Sequence, residues 1–183
     1  RIVIGRDMRQ SGPSIRRALI DAILAAGCDV IDIGEVGTPT LYYAVASLSA
    51  DAGIMITASH NPARYNGFKL CGRGATPTSS DTGISAIEQI ATSTAQLPVA
   101  DVPGKLEERN VIADYHQFLF GLTPKTKAFK VVIDTGNGMM GAVLPNLLAQ
   151  LPCHVTPLFF EVDGSFPNHE PNPLDPRDMV DLQ

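Results

Sequence analysis

The sequence contains no tryptophan, has only 6% aromatic residues, and has fewer basic residues (14) than acidic ones (19). The resulting net charge of −5 argues against nucleic acid or an anionic membrane surface as a partner. No apolar run approaches the roughly 20 residues of a membrane-spanning helix, and no basic segment followed by a hydrophobic one opens the chain. We therefore predict a cytoplasmic protein without a membrane span or signal peptide.

Cysteine is also scarce. Cys28, Cys71 and Cys153 are odd in number, widely spaced and without a CxxC pair. This usage predicts three reduced thiols in the core, neither bridged nor bound to a metal.

Hydrophobic residues make up 44% of the chain, and strand-like apolar runs alternate with amphipathic segments. This alternation predicts an α/β fold, a three-layer α/β/α domain with a mixed sheet and helices on both faces. Predicted strands cover residues 2–5, 29–33, 53–57, 67–71, 130–134 and 154–160, and predicted helices cover 11–27, 38–47, 82–92, 111–122 and 141–151. In the third helix we expect Ile84, Ile87, Ile90 and Ala91 to face the core.

A polar turn at residues 121–127 predicts a boundary between two domains. Residues 1–123 are long enough for one complete domain. Residues 124–183 begin a second domain of similar βαβ architecture but are too few to close it, since half of such a sheet alone normally has three strands. We therefore expect the second domain to be truncated.

The segment from residue 53 to residue 70 carries most of the functional information. A buried-strand pattern ends in Thr-Ala-Ser59-His60-Asn61-Pro62, and the proline prevents the segment from continuing as a helix. Lys69 follows after an Asn-Gly turn signal. Reacting groups collect at strand ends in α/β proteins. A presented hydroxyl with a lysine able to fold back beside it therefore predicts chemistry on a phosphate or acyl group.

The strings TASHNP and YNGFKL in this segment resemble the active-site serine loop of the α-D-phosphohexomutases, and within them the phosphomannomutase/phosphoglucomutase group. Phosphoglucosamine mutases are less similar, because they usually have Asp-Asn-Gly-Ile-Lys where this chain has YNGFK. Four further strings agree in order with the same group: IVIGRDMRQSGP at 2–13, GTPTLYYA at 37–44, KVVIDTGNGMMG at 130–141 and FEVDGSFPNHEPNP at 160–173.

The resemblance implies roles for the residues of this loop. Ser59 would carry the transferable phosphoryl group, and a bound Mg²⁺ would take one ligand oxygen from that phosphate. Lys69 would act as general acid and base, and His60 would donate to the phosphate or orient its neighbours. Asn61 and Arg64 would fix the loop or reach the phosphate.

Two arginines flank an aspartate after the first strand, in Gly-Arg6-Asp7-Met-Arg9. One interpretation is an internal ion-pair network at the strand end. The other is electrostatic support for the serine loop by Arg6 and Arg9, because guanidinium groups suit phosphate oxygens. The sequence leaves both open.

The glycine-rich turn at residues 134–138 could form a nucleotide phosphate cradle, whereas the resemblance implies a purely structural turn. Asp163, His169 and Glu170 could mimic metal ligands, but their proline-rich surroundings favour ordinary loop residues.

The implied activity is reversible transfer of phosphate between positions 6 and 1 of a hexose, mannose or glucose, through a bisphosphorylated intermediate. Glucose 1,6-bisphosphate would be the activator, and hexose phosphates and the missing domains of the same polypeptide would be the partners. The family's Asp-Gly-Asp-x-Asp-Arg metal loop and Gly-Glu-x-Ser-Gly-His sugar loop do not occur in these residues. We therefore expect this fragment alone to be inactive. The alternatives are a nucleotide-dependent sugar kinase-like protein and a non-catalytic phosphosugar-binding module.

Overall fold

The computed structural model describes residues 1–93, 99–122 and 126–183. Within these ranges no helix combines the length and the apolar character that crossing a bilayer requires. The strands are β1 (Ile2–Arg6), β2 (Val30–Glu35), β3 (Ala52–Ile56), β4 (Phe68–Gly72), β5 (Leu106–Glu108), β6 (Lys130–Asp134) and β7 (His154–Leu158). The α-helices are α1 (Gly12–Ala25), α2 (Thr38–Ser47), α3 (Ser85–Thr92), α4 (Ile112–Leu122) and α5 (Met140–Leu148), and a 3₁₀ segment covers Pro176–Leu182.

The first five strands form one sheet in the order β4-β3-β1-β2-β5. β1 runs parallel to both of its neighbours, β2 and β3, and β2 runs parallel to β5. β4 runs antiparallel to β3. One face of the sheet packs on α1 through Ile20, and the opposite face packs on α2 through Leu41 and Val45. The predicted mixed sheet with helices on both faces is therefore confirmed.

The second unit is a single βαβ motif. Strands β6 and β7 pair in parallel, and α5 connects them. In the part of the chain that the structure describes, this sheet has two strands. The predicted boundary between residues 123 and 124 lies outside the described residues.

The third predicted helix differs from expectation. A short π-helical turn, Ser80–Ile84, precedes α3, and no residue of either is buried. Ile87 and Ile90 are 50% and 57% exposed, so the prediction that this apolar side faces the core is wrong. Helical spacing shows which residues share one side of a helix. It does not show whether another element packs against that side.

The cysteine prediction is only partly right. All three thiols are free, and Cys71 is buried, which raises the pKa of its thiol. Cys28, however, is exposed, because Gly27 ends the first helix with a left-handed backbone and Cys28 follows at the surface. Cys153 is only partly buried, so Cys71 alone of the three matches the predicted core position.

Candidate active site

The candidate site lies where β1 and β3 end side by side. The two strands are parallel. The chain leaves β1 towards β2 on one side and leaves β3 towards β4 on the other, so the two connections diverge. This is the switch point at which open α/β sheets bind their ligands. Arg9 follows β1 by three residues and Ser59 follows β3 by three residues, so the fold brings the two segments together.

Ser59 is exposed and has a left-handed backbone, with φ of 54°. For a residue other than glycine this conformation costs about 1–3 kcal/mol and persists only where its surroundings impose it. The Ser59 N–H donates to Thr57 Oγ1 at 3.0 Å, and the Thr57 hydroxyl donates to Asp7 Oδ2 at 2.7 Å. Lys69 Nζ donates to Ser59 Oγ at 3.5 Å. The structure thus presents a serine hydroxyl with an ammonium group beside it.

The two arginines after β1 have different surroundings. Arg6 pairs with Glu35 at 2.6 Å. Both side chains line a cavity that does not include Ser59. Arg9 is completely buried and pairs with Asp7 at 3.2 Å. The guanidinium of Arg9 also donates to carbonyl groups of the serine loop, among them that of Ser59. Electrostatic support of a phosphate on Ser59 by either arginine stays a prediction.

The other predicted residues of the loop are engaged with protein groups. His60 Nδ1 lies 3.0 Å from the carbonyl oxygen of Pro171, which belongs to the second unit. The Asn61 side chain donates to the carbonyl of Ala58 at 2.8 Å, so it closes the loop. The Arg64 guanidinium lies 4.7 Å from the ring centroid of the next residue, Tyr65. Their proposed roles toward a phosphate stay predictions.

A cavity of about 640 Å³ opens between the two units beside these side chains. The first unit contributes Ser59, Lys69 and His60 to its wall, and the second unit contributes the glycine-rich turn and the proline-rich loop. The residues on its wall include Ser59, His60, Lys69, Gly136, His169 and Pro171.

The glycine-rich turn is in contact with side chains of its own unit. Asp134 accepts from the N–H of Gly136 at 2.7 Å and contacts His169 Nε2 at 3.0 Å. A Cβ on Gly136 would lie 3.0 Å from His169 Cε1, so the imidazole packs directly against this glycine. Burial lowers the pKa of His169, but its bonds to the Glu170 carbonyl and to Asp134 outweigh burial and raise that pKa overall.

The sequence interpretation missed the Asp134–His169 pair, because it treated the turn and the histidine separately. Their 35-residue separation hides the contact. The one available signal was an aspartate at a strand end and a histidine in the loop after the neighbouring strand.

The acidic, histidine and cysteine side chains of the chain are dispersed rather than clustered in the described residues. In residues 1–93, 99–122 and 126–183, no three or more His, Cys, Asp or Glu side chains group as metal ligands would. Asp163 instead accepts from the N–H of Ser165 at 2.8 Å. Binding of Mg²⁺ through a phosphate on Ser59 stays a prediction.

Comparison with known proteins identifies the family. A model of the phosphoglucomutase/phosphomannomutase alpha/beta/alpha domain I matches residues 1–97, and the model of domain II matches residues 113–183. The phosphomannomutase/phosphoglucomutase of Pseudomonas putida is 42% identical over 184 residues, covering 99% of this chain and 38% of that protein. The corresponding protein of Pseudomonas aeruginosa PAO1 is 39% identical over 181 residues, with the same coverage.

A solved structure of a phosphoglucomutase/phosphomannomutase family protein from Burkholderia thailandensis superimposes with a TM-score of 0.83 at 36% identity. The superposition covers 99% of this chain and 40% of that one. The chain thus spans about two fifths of the length of the relatives it matches. On these matches, and as the serine-loop resemblance predicts, the chain belongs to the phosphoglucomutase/phosphomannomutase family.

Proposed function

We propose that Ser59 is the phosphoryl carrier of a phosphohexomutase that interconverts hexose 1-phosphate and hexose 6-phosphate through a bisphosphorylated sugar. The observation that carries the proposal is the exposed Ser59 hydroxyl just after the end of β3, with Lys69 Nζ 3.5 Å from its oxygen. Family membership and the names of the relatives support an isomerase of this class. Mannose and glucose phosphates are both candidate substrates.

The proposed transfer needs one proton carrier at the serine. The bond from phosphorus to Ser59 Oγ breaks while a bond from phosphorus to the attacking sugar oxygen forms. The proton lost by the sugar hydroxyl ends on Ser59 Oγ, and Lys69 is the group placed to hand it over. After the bisphosphorylated sugar turns, the same steps run in reverse with its other phosphate. Lys69 is then base towards the sugar hydroxyl and acid towards Ser59 Oγ in the first transfer, and the two roles exchange partners in the reverse transfer.

Mg²⁺ and glucose 1,6-bisphosphate complete the proposal for the whole gene product. The ion would supply charge neutralisation at the phosphate of Ser59, and the bisphosphate would load the serine. The described residues offer no further group of metal-ligating side chains. The proposal therefore assigns no step of the reaction to the ion.

The two alternative functions have less support. A nucleotide-dependent sugar kinase would need the turn at residues 134–138 as a phosphate cradle, but His169 packs against Gly136 and bonds to Asp134 in that turn. Calorimetry with ATP should accordingly detect no binding. A non-catalytic phosphosugar-binding module would not require a hydroxyl at position 59, and the next experiment separates it from a mutase.

The test is the intact mass of the complete gene product after treatment with glucose 1,6-bisphosphate or with a phosphatase. We expect a gain of one phosphate that Ser59→Ala abolishes, together with loss of hexose phosphate isomerisation. Ser49→Ala is the matched control, because Ser49 is also exposed and left-handed, with φ of 50°. Full isomerase activity in Ser59→Ala would contradict the proposal.

A further inference from the structure

We propose that Arg9 is a positioning residue for this phosphoryl transfer, acting through the backbone of the serine loop and not through the phosphate. The inference rests on the proposed function of Ser59 and goes beyond it. It concerns how a side chain 50 residues away fixes the reacting hydroxyl.

Every N–H of the Arg9 guanidinium has an acceptor in the protein. A guanidinium has five N–H groups in a planar fork, and none of its nitrogens accepts. One bond goes to a carboxylate and four go to main-chain carbonyls of one loop. The acceptors are Asp7 Oδ2 at 3.2 Å from Nε, Pro62 O at 2.8 Å and Tyr65 O at 3.0 Å from Nη1, and Ser59 O at 2.9 Å and Asn61 O at 2.8 Å from Nη2.

The surroundings of Arg9 exclude solvent. Its side chain is 0% exposed, and the ring of Phe166, from the second unit, lies 5.2 Å from the guanidinium carbon. With all five donors used and no exposed surface, Arg9 has no N–H left for a phosphate on Ser59. Its effect on the reaction must therefore pass through the loop.

The backbone of Ser59 is held on both sides. Its N–H is bound to Thr57 and its carbonyl to Arg9, with φ of 54° between them. These two bonds set the direction of the Cα–Cβ bond and hence the position of Oγ relative to Lys69. A lysine in place of Arg9 keeps the charge but offers a compact ammonium with three donors, which cannot span four carbonyls.

The test compares Arg9→Lys with Arg16→Lys in the complete gene product. Arg16 also forms an ion pair with a buried carboxylate, that of Asp32, but lies outside the serine loop. Displacement of a reacting group by about 1 Å costs roughly 10²-fold in rate. We expect Arg9→Lys to lower kcat about 10²-fold per folded molecule with KM changed less than about threefold. Arg16→Lys should lower the melting temperature and leave kcat within about twofold.

Amide hydrogen exchange gives a readout independent of activity. In Arg9→Lys, amides of residues 59–65 should exchange faster while those of β1 and β3 keep their wild-type rates. Phe166→Leu, which uncovers the guanidinium and keeps its bonds, should show a smaller change of the same kind. It also serves where Arg9→Lys fails to fold.

Unchanged exchange of the loop amides, or unchanged kcat, in Arg9→Lys would overturn the inference even if wild-type Ser59 takes up phosphate. If Arg9→Lys does not fold, unchanged exchange of these amides in Phe166→Leu would overturn it. Absence of phosphate on wild-type Ser59 after treatment with glucose 1,6-bisphosphate would instead overturn the proposed function, and the positioning role of Arg9 in that reaction with it.

Discussion

The hydrogen-bond network of Asp7, Thr57 and Ser59 can be tested by making the same substitution, threonine to valine, at two buried positions. Thr57 is 7% exposed, and its hydroxyl donates to Asp7 at 2.7 Å and accepts from the Ser59 N–H at 3.0 Å. Thr40, in the first turn of α2, is 0% exposed, and among the described residues its hydroxyl has no hydrogen-bond partner. Valine replaces each hydroxyl by a methyl group of similar size.

The expected effects have opposite signs. Thr57→Val removes a bond to a carboxylate, worth about 1.5–3 kcal/mol, and leaves the Ser59 N–H unpaired, so we expect a loss of about 3 kcal/mol. Thr40→Val relieves the cost of burying an unpaired hydroxyl and should stabilise by about 1 kcal/mol. At roughly 2–4 °C per kcal/mol for a chain of this size, the melting temperature should fall by about 6–12 °C in the first and rise by about 2–4 °C in the second.

Thermal unfolding followed by circular dichroism measures both variants, and urea titration checks that the m-value is unchanged. A Thr57→Val protein as stable as the wild type would refute the argument that Asp7, Thr57 and Ser59 form one satisfied network. Equal destabilisation of both variants would refute it as well, because the bonded and unbonded hydroxyls would then be equivalent.

Three further predictions concern the rest of the chain. The pKa of His169 is raised above 6.5 in the folded chain, so the protonated imidazole stabilises the fold below pH 6.5, and this stabilisation is lost as pH rises through the raised pKa. His169→Asn should therefore lower the melting temperature at about pH 5.5 and leave it almost unchanged at about pH 9. Gly164→Ala places a Cβ 2.4 Å from the Met8 carbonyl oxygen and should cost about 2 kcal/mol or more in a urea titration, whereas Gly72→Ala meets nothing within 4 Å and should be nearly neutral. Residues 1–183 alone should show negligible conversion of glucose 1-phosphate to glucose 6-phosphate in a coupled assay.

Elements with a continuous buried pattern were predictable, and exposed ones were not. The apolar run through Val3 and Ile4 predicted β1, and both side chains are fully buried. β5, in contrast, consists of three exposed residues that include two glutamates. It pairs with β2 through main-chain bonds at the sheet edge, which leave no hydrophobic pattern in the sequence.

In the candidate site, some contacts could likewise be predicted from the sequence and others could not. Ser59 and Lys69 are ten residues apart across a recognisable turn, so their proximity could be expected from the sequence. The four carbonyl acceptors of Arg9 lie 50 to 56 residues away and belong to the main chain. Any residue type supplies such an acceptor, so no side-chain motif could predict them. The contact of His60 with Pro171, 111 residues away, is hidden for the same reason.

The antiparallel edge of the first sheet has a mechanical consequence. β3 and β4 are hydrogen-bonded neighbours, with Ile56 opposite Phe68, so the serine and the lysine are carried on one hairpin. Swinging the βαβ unit away would separate Pro171 from His60 and leave the spacing between Oγ and Nζ as it is. In the proposed reaction the donor therefore stays still, and the sugar has to rotate end over end in front of it.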